Sequence, residues 1–286
     1  MADAHPLLIQ AQEWFGLENR EDWQVVDSRG KSAYLAGHIP GAIHLPAGFL
    51  IDVESERGAY KSFAELTSAL GKLGLSPDKP TLLYDDSGLV PSAKLFWVMD
   101  VLGFQALTLL DGGYPAWAEA DLPLEVEENK YSPIKLELHP DHSKVIGLEE
   151  LLEAVDPDHS HQPKLLDARS PLEFQGLSPT AKKDGHIPGA VNLDWENHIQ
   201  DLFHPFFKEK SVLAALLAER GISPDQDVVV YCRSGSRSCH SYFVLKYLGY
   251  PRVKNYPGSW LEWGNHPDTP VASQETAIHE AADQSV

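Results

Sequence analysis

The chain has 286 residues, 43% of them hydrophobic and 23% charged, an ordinary globular composition whose length suits two domains better than one. No apolar run approaches the ~18 residues that span a bilayer, and Met1 to Gln10 lacks the basic and apolar regions of a secretory signal. Lys and Arg total 23 against 42 Asp and Glu, a net charge of −19, and so acidic a field repels phosphate backbones and anionic headgroups.

Nucleic acid and membrane are therefore not expected partners, and an anionic substrate would need a local cluster of positive charge. Two cysteines, Cys232 and Cys239, exclude a disulfide framework, and their spacing does not resemble a zinc site. A cytoplasmic location is expected.

In chain order, Val25 to Asp27, Gly41 to Leu45, Thr81 to Tyr84 and Ala106 to Leu110 predict buried strands. Phe63 to Leu73 and Ser92 to Leu102 predict helices between them. Glu125 to His142 is polar, holds two prolines and reads as a linker. A helix at Leu148 to Val155 then leads to strands at Lys164 to Asp167 and Ala190 to Leu193. Ser211 to Arg220 predicts a helix, Asp227 to Tyr231 a strand, Arg237 to Leu248 a helix and Val253 to Tyr256 a strand. Ser273 to Val286 reads as a frayed tail.

The chain repeats itself. Val25-Val26-Asp27-Ser28-Arg29 is echoed by Leu165-Leu166-Asp167-Ala168-Arg169, and Gly37-His38-Ile39-Pro40-Gly41-Ala42 returns unchanged at Gly185 to Ala190. Thr81 to Asp85 matches Val228 to Cys232, Leu102-Gly103-Phe104 matches Leu248-Gly249-Tyr250, and Gly112 and Trp117 match Gly258 and Trp263. The offset grows between the first two echoes, so Leu177 to Lys183 reads as a surface insertion. Two homologous α/β domains in tandem follow, each a mainly parallel sheet covered by helices on both faces. Their expected extents are 1–124 and 143–272, with 125–142 between them and 273–286 after.

Cys232 lies where a buried strand gives way to a helix, the end of an α/β sheet at which ligands bind. The loop Cys232-Arg233-Ser234-Gly235-Ser236-Arg237 is short and rich in Gly and Ser. It can turn backbone N–H groups inward to receive an anion, at the positive end of the following helix. Such surroundings, with two guanidiniums, favour a thiolate and supply the positive cluster that the acidic chain otherwise lacks. The first copy has Asp85 at this position, so one active site per chain is expected.

The duplicated Gly-His-Ile-Pro-Gly-Ala, the Cys232 loop and Gly258-Ser259-Trp260-Leu261-Glu262-Trp263-Gly264 together resemble the tandem-domain rhodaneses, the thiosulfate and 3-mercaptopyruvate sulfurtransferases. The resemblance runs from about Trp23 to Val271. It implies two rhodanese-like domains, each with a parallel five-stranded sheet, the first catalytically inactive. It also implies transfer of the sulfane sulfur of thiosulfate, or another small anionic donor, through a Cys232 persulfide to cyanide or a thiol acceptor, with no metal or organic cofactor. Cys232 matches the nucleophile; Arg233, Ser234, Gly235, Ser236 and Arg237 form the substrate cradle, and Arg169 matches a substrate-binding arginine.

Mercaptopyruvate enzymes carry a further Arg a few residues after that position, where this chain has Glu173, and an uncharged loop ending in Thr. Two formal positive charges in the loop favour the thiosulfate dianion over mercaptopyruvate. Pro257 departs from the Asp usual before Gly-Ser-Trp.

Blander readings apply to several residues. His38 and His186 recur in the copy lacking the cysteine and are expected to hold a turn, and Asp27 and Asp167 to satisfy backbone groups. Arg169 is as well suited to a structural ion pair as to a substrate contact. Trp260 and Trp263 are expected to anchor their loop in the core, and Cys239 to pack there. Three rival functions stay open: a mercaptopyruvate sulfurtransferase, a non-catalytic persulfide carrier or binding module, and a phosphatase or arsenate reductase. The last needs five residues between Cys and Arg where this loop has four. A monomer is expected.

Overall fold

The computed structural model describes residues 5–52, 60–156, 158 and 160–273; the tail expected at 273–286 lies, apart from Ser273, outside the described residues. The chain divides into two compact units, Met1–His142 with Ile199–Lys208, and Ser143–His198 with Glu209–Val286. Among the described residues no helix is long and apolar enough to cross a membrane.

The first unit runs β1 (Leu8–Ile9), α1 (Ala11–Phe15), β2 (Gln24–Asp27), α2 (Lys31–Ala36), β3 (Ala42–His44), α3 (Phe63–Lys72), β4 (Thr81–Tyr84), α4 (Val90–Val101), β5 (Leu107–Leu110) and α5 (Gly113–Glu119). Its strands, all parallel, lie in the order β1-β5-β4-β2-β3. The central strands are short apolar runs buried along their whole length, as a sheet covered on both faces requires. Residues 125–142, expected as a linker, are laid along this unit. Glu125 exchanges backbone hydrogen bonds with His38, Ile134 donates to the Gly71 carbonyl and Asp141 to that of Val101. Ile199–Lys208 also belongs here: Phe207 N donates to Asp111 Oδ1 at 2.9 Å.

The second unit runs α6 (Leu148–Ala154), β6 (Lys164–Asp167), α7 (Pro171–Phe174), β7 (Ala190–Asn192), α8 (Lys210–Ala218), β8 (Val228–Tyr231), α9 (Arg237–Tyr247), β9 (Val253–Asn255) and α10 (Ser259–Trp263). Its parallel strands lie in the order β7-β6-β8-β9, so among the described residues this sheet has four strands where five were expected. The missing edge strand survives as one parallel bridge, Val145 to Asn255. Val145 and Ile146 alone separate the helical turn His142–Lys144 from Gly147, the N-cap of α6, and the pairing does not extend beyond that one bridge.

The valine run of β8 suits a strand buried on both faces. The following α9 is buried from Ser238 through Leu245, including the polar Ser238, His240 and Ser241. A helix enclosed all round in this way is a central element rather than a surface one. The loop that starts at Cys232 leads into its first residue, Arg237.

Candidate active site

Cys232 is 1% exposed, at the carboxyl end of β8. Above it the loop opens gradually: Arg233 is exposed, Ser234, Ser236 and Arg237 are half-buried, and Gly235 is buried. Gly235 has φ +78°, a backbone conformation natural to glycine, and a Cβ there would lie 2.6 Å from the Pro257 carbonyl oxygen. That contact gives Pro257 a place in the site: its backbone packs against the floor of the loop.

The segment after β9 holds the loop from below. Cys232 N donates to Ser259 Oγ at 3.1 Å, and Ser259 Oγ donates to the Tyr256 carbonyl at 2.8 Å. Trp260 N and Leu261 N donate to the carbonyls of Cys232 and Arg233 at 3.0 and 2.9 Å. Ser259 makes its bond from φ +51°, a region that residues with a Cβ seldom occupy. Cys239 Sγ donates to the Gly235 carbonyl at 3.0 Å and accepts from Asn255 Nδ2 at 3.4 Å. It is fully buried, as packing predicts.

Arg237, the first residue of α9, does not stand free. Its Nη1 and Nη2 donate to Glu173 Oε2 and Oε1 at 2.7 and 2.9 Å, a bidentate, end-on ion pair. Burial alone would raise the Glu173 carboxyl, but Arg237 and Ser170 outweigh it and hold it at about 2. Burial likewise opposes the Arg237 charge, yet Glu173, the Cys232 sulfur and Asp194 keep its pKa above the ordinary value. Burial pushes the Asp194 carboxyl up, and Glu173 adds to that while Arg237 opposes it.

Arg169, expected as a substrate contact, is placed in the core instead. It is fully buried, its Nε and Nη2 donate to Asp167 at 2.6–3.0 Å, and Nη2 also reaches the Gly185 carbonyl at 2.7 Å. Its guanidinium lies 4.5 Å from the ring centre of Trp260. The first unit repeats the arrangement with Arg29, Asp27 and the Gly37 carbonyl, where no cysteine follows.

The counterpart of Cys232 in that unit is Asp85, also fully buried, and its carboxylate accepts four hydrogen bonds. Ser87 N and Leu89 N donate to Oδ1 at 2.6 and 3.2 Å; Ser92 N and Oγ donate to Oδ2 at 2.9 and 2.6 Å. Here the loop between strand and helix, equal in length to the Cys232 loop, wraps an acidic group with its amides.

A family model for the rhodanese-like domain matches residues 12–120 and again 148–266. The chain belongs to the rhodanese family. Its rhodanese relatives include a thiosulfate sulfurtransferase of Azotobacter vinelandii, 36% identical over 93% of this chain and 97% of the relative. The sulfur carrier protein TtuD of Thermus thermophilus is 37% identical over 96% and 100%. Among solved structures, SseA of Escherichia coli, described as a 3-mercaptopyruvate sulfotransferase, superposes with a TM-score of 0.78 at 26% identity, over 89% and 99% of the two chains. The chain is thus a sulfurtransferase of the rhodanese type, and each unit carries one copy of the rhodanese fold.

The rhodanese loop gathers Cys232, Arg233, Ser234, Gly235, Ser236 and Arg237 as one strand-to-helix turn. The repeated histidines sit in turns: His38 Nδ1 faces the Tyr34 carbonyl at 2.9 Å, and His186 Nδ1 faces that of Phe174 at 2.8 Å. Trp260 and Trp263 are buried. Sequence reasoning missed Ser259 as a part of the site and the pairing of Glu173 with Arg237. It also missed His240 of α9 and His198, whose rings stack 5.5 Å apart; burial and then His198 hold His240 well below the usual histidine range.

Proposed function

We propose that this rhodanese takes the sulfane sulfur of thiosulfate onto Cys232 and passes it to a thiophilic acceptor. The Cys232 thiolate attacks the outer sulfur; the S–S bond of thiosulfate breaks, its electron pair leaves with sulfite, and a Cys232 persulfide anion remains. Cyanide, as assay acceptor, attacks the terminal sulfur. Thiocyanate leaves and the thiolate is restored, so charge and electrons balance in both halves.

The observation that carries this reading is the Asp85 loop. At the position of Cys232 the same fold wraps a carboxylate with the amides two and four residues on, Ser87 and Leu89. In the second unit those positions are Ser234 and Ser236. Fixed amides and the N-terminus of the enclosed α9 suit the anionic sulfur of a persulfide, as an oxyanion hole suits oxygen. Thiosulfate sulfurtransferases among the relatives support the choice of donor. Arg169 acts from beneath, holding Asp167 and the Gly185 turn under the loop.

A second reading is 3-mercaptopyruvate as donor. The Glu173–Arg237 pair favours it, because that pair cancels one of the two loop charges on which the preference for a dianion rests. Steady-state transfer to cyanide from each donor, with Cys232→Ala as control, decides between them. Faster thiosulfate turnover, abolished in the variant and accompanied by one extra sulfur in the mass of the loaded protein, is expected. Preference for mercaptopyruvate would transfer the conclusion to the second reading, and silence on both donors would leave a carrier loaded by a dedicated partner.

A further inference from the structure

The two arginines that bracket the Cys232 loop are not equivalent. Arg233 is exposed and has no ion-pair partner among the described residues, whereas Arg237 is gripped through two nitrogens by Glu173. Arg237 and Glu173 expose only 24% and 10% of their side chains, so solvent screens the pair weakly. Glu173 is itself held, because its Oε2 accepts Ser170 N and Oγ, both at 3.1 Å, in the capping box that opens α7.

We propose that Glu173 is a specificity-determining residue: by pairing with Arg237 at the rim of the Cys232 loop, it cancels one of the loop's two positive charges and narrows the advantage of a dianionic sulfur donor over a monoanionic one. The inference rests on the sulfur-transfer reading above and concerns how donors are ranked. Coulomb work scales with the charge of the donor, so a unit charge freed at the rim acts about twice as strongly on thiosulfate as on the mercaptopyruvate carboxylate. Loosening of Arg237, and any effect on the acceptor half-reaction, is common to both donors and cancels in the ratio of their kcat/KM values. Arg233 then remains the charge that attracts donors, and Arg237 presents a fixed set of N–H groups.

The test is the thiosulfate-to-mercaptopyruvate ratio of kcat/KM across ionic strength in the full-length protein. In Glu173→Gln, whose amide oxygen can still cap α7, the ratio should rise on the order of fivefold at low salt. The gain should shrink as ionic strength passes about 0.15 M. Arg237→Gln leaves Glu173 unopposed and should lower the ratio; it also carries the test alone if Glu173→Gln does not fold. The double variant removes one charge of each sign and should return close to the parent. Ratios unchanged in the folded single variants, or shifted equally at every salt concentration, would overturn the inference.

Intact mass of Cys232 after exposure to each donor keeps the two levels apart. A parent protein that gains sulfur from neither donor overturns the reading of Cys232 as the acceptor from small anionic donors, and this inference with it. A parent that prefers mercaptopyruvate, with the ratios still moving as stated, discards thiosulfate and upholds the role of Glu173.

Discussion

Ser259 receives the Cys232 amide at 3.1 Å from a left-handed backbone, φ +51°. The matching residue of the first unit, whose chain continues into Tyr114 as Ser259 continues into Trp260, is Gly113 at φ +60°. Tyr114 N donates to the Asp85 carbonyl, as Trp260 N does to that of Cys232. The fold therefore demands a left-handed residue at this corner. The unit without the cysteine fills it with glycine at no steric cost; the unit with the cysteine accepts strain and gains a hydroxyl under the nucleophile.

This comparison separates two substitutions that ordinarily behave alike. Ser259→Ala keeps the strain and strands the buried Cys232 N–H, so a loss of about 1–3 kcal/mol in urea unfolding is expected. Ser259→Gly strands the same donor but relieves roughly 1–2 kcal/mol of left-handed strain, and its stability should stay close to the parent's. Sulfur transfer should fall in both, because the cysteine backbone has lost its anchor. Full activity in Ser259→Gly would show that the hydroxyl has no part in placing Cys232.

The Asp85 loop predicts stability without chemistry. Asp85→Ala removes the acceptor for the buried amides of Leu89 and Ser92, the buried Ser92 hydroxyl and the more accessible amide of Ser87; each buried donor costs about 1–3 kcal/mol where no replacement partner is found. The first unit should unfold at clearly lower denaturant, while the persulfide yield on Cys232 at 25 °C stays at the parent level. An unchanged unfolding curve would mean that the amides find other acceptors and that the carboxylate does not organise this loop.

Acid sensitivity follows from two groups of the second unit. Burial and His198 hold His240 well below the ordinary value of 6.5, so the unfolded chain takes up a proton there before the native one does. Stability must then fall as pH drops below about 6.5, by up to ~1.4 kcal/mol per pH unit for one proton. Glu173 is held at about 2 against an ordinary 4.5, and its contribution, present above about 4.5, is lost as pH falls toward 2. Denaturant midpoints between pH 7 and 5 should flatten in His240→Gln relative to the parent. Equal slopes would remove His240 from the account.

Much of this was legible in the sequence, because period and repetition are local signals. The strand-to-helix switch at Cys232 follows from a valine run, a Gly/Ser loop and an apolar helix. The structural character of Arg169 was visible in the recurrence of Asp-x-Arg before a unit with no cysteine. Glu173 was not, since nothing in its spacing says that it meets Arg237, 64 residues away. From sequence alone Arg237 therefore counts as a free charge, which its pairing with Glu173 removes. The left-handed turn at Ser259 had a signal, the alignment with Gly113, but only a backbone angle gives that alignment its meaning. His198 and His240 belong to no motif; burial alone makes them notable.

Two glycines with the same backbone angle give the sharpest contrast between conformation and packing. Gly235 and Gly189 both have φ +78°. An added Cβ at Gly189 meets nothing within 4 Å, whereas at Gly235 it meets the Pro257 carbonyl at 2.6 Å and the Pro257 Cα at 3.1 Å. Gly189→Ala should therefore cost only the conformational penalty, roughly 1–2 kcal/mol, and leave sulfur transfer intact. Gly235→Ala adds a backbone collision that no flexible side chain can relieve, and the loop must shift relative to Pro257. Its donor kcat/KM should fall by more than tenfold, since misplacement of a reacting group by about 1 Å costs on the order of a hundredfold in rate. Similar activities in the two variants would mean that the Cys232 loop does not depend on its contact with Pro257.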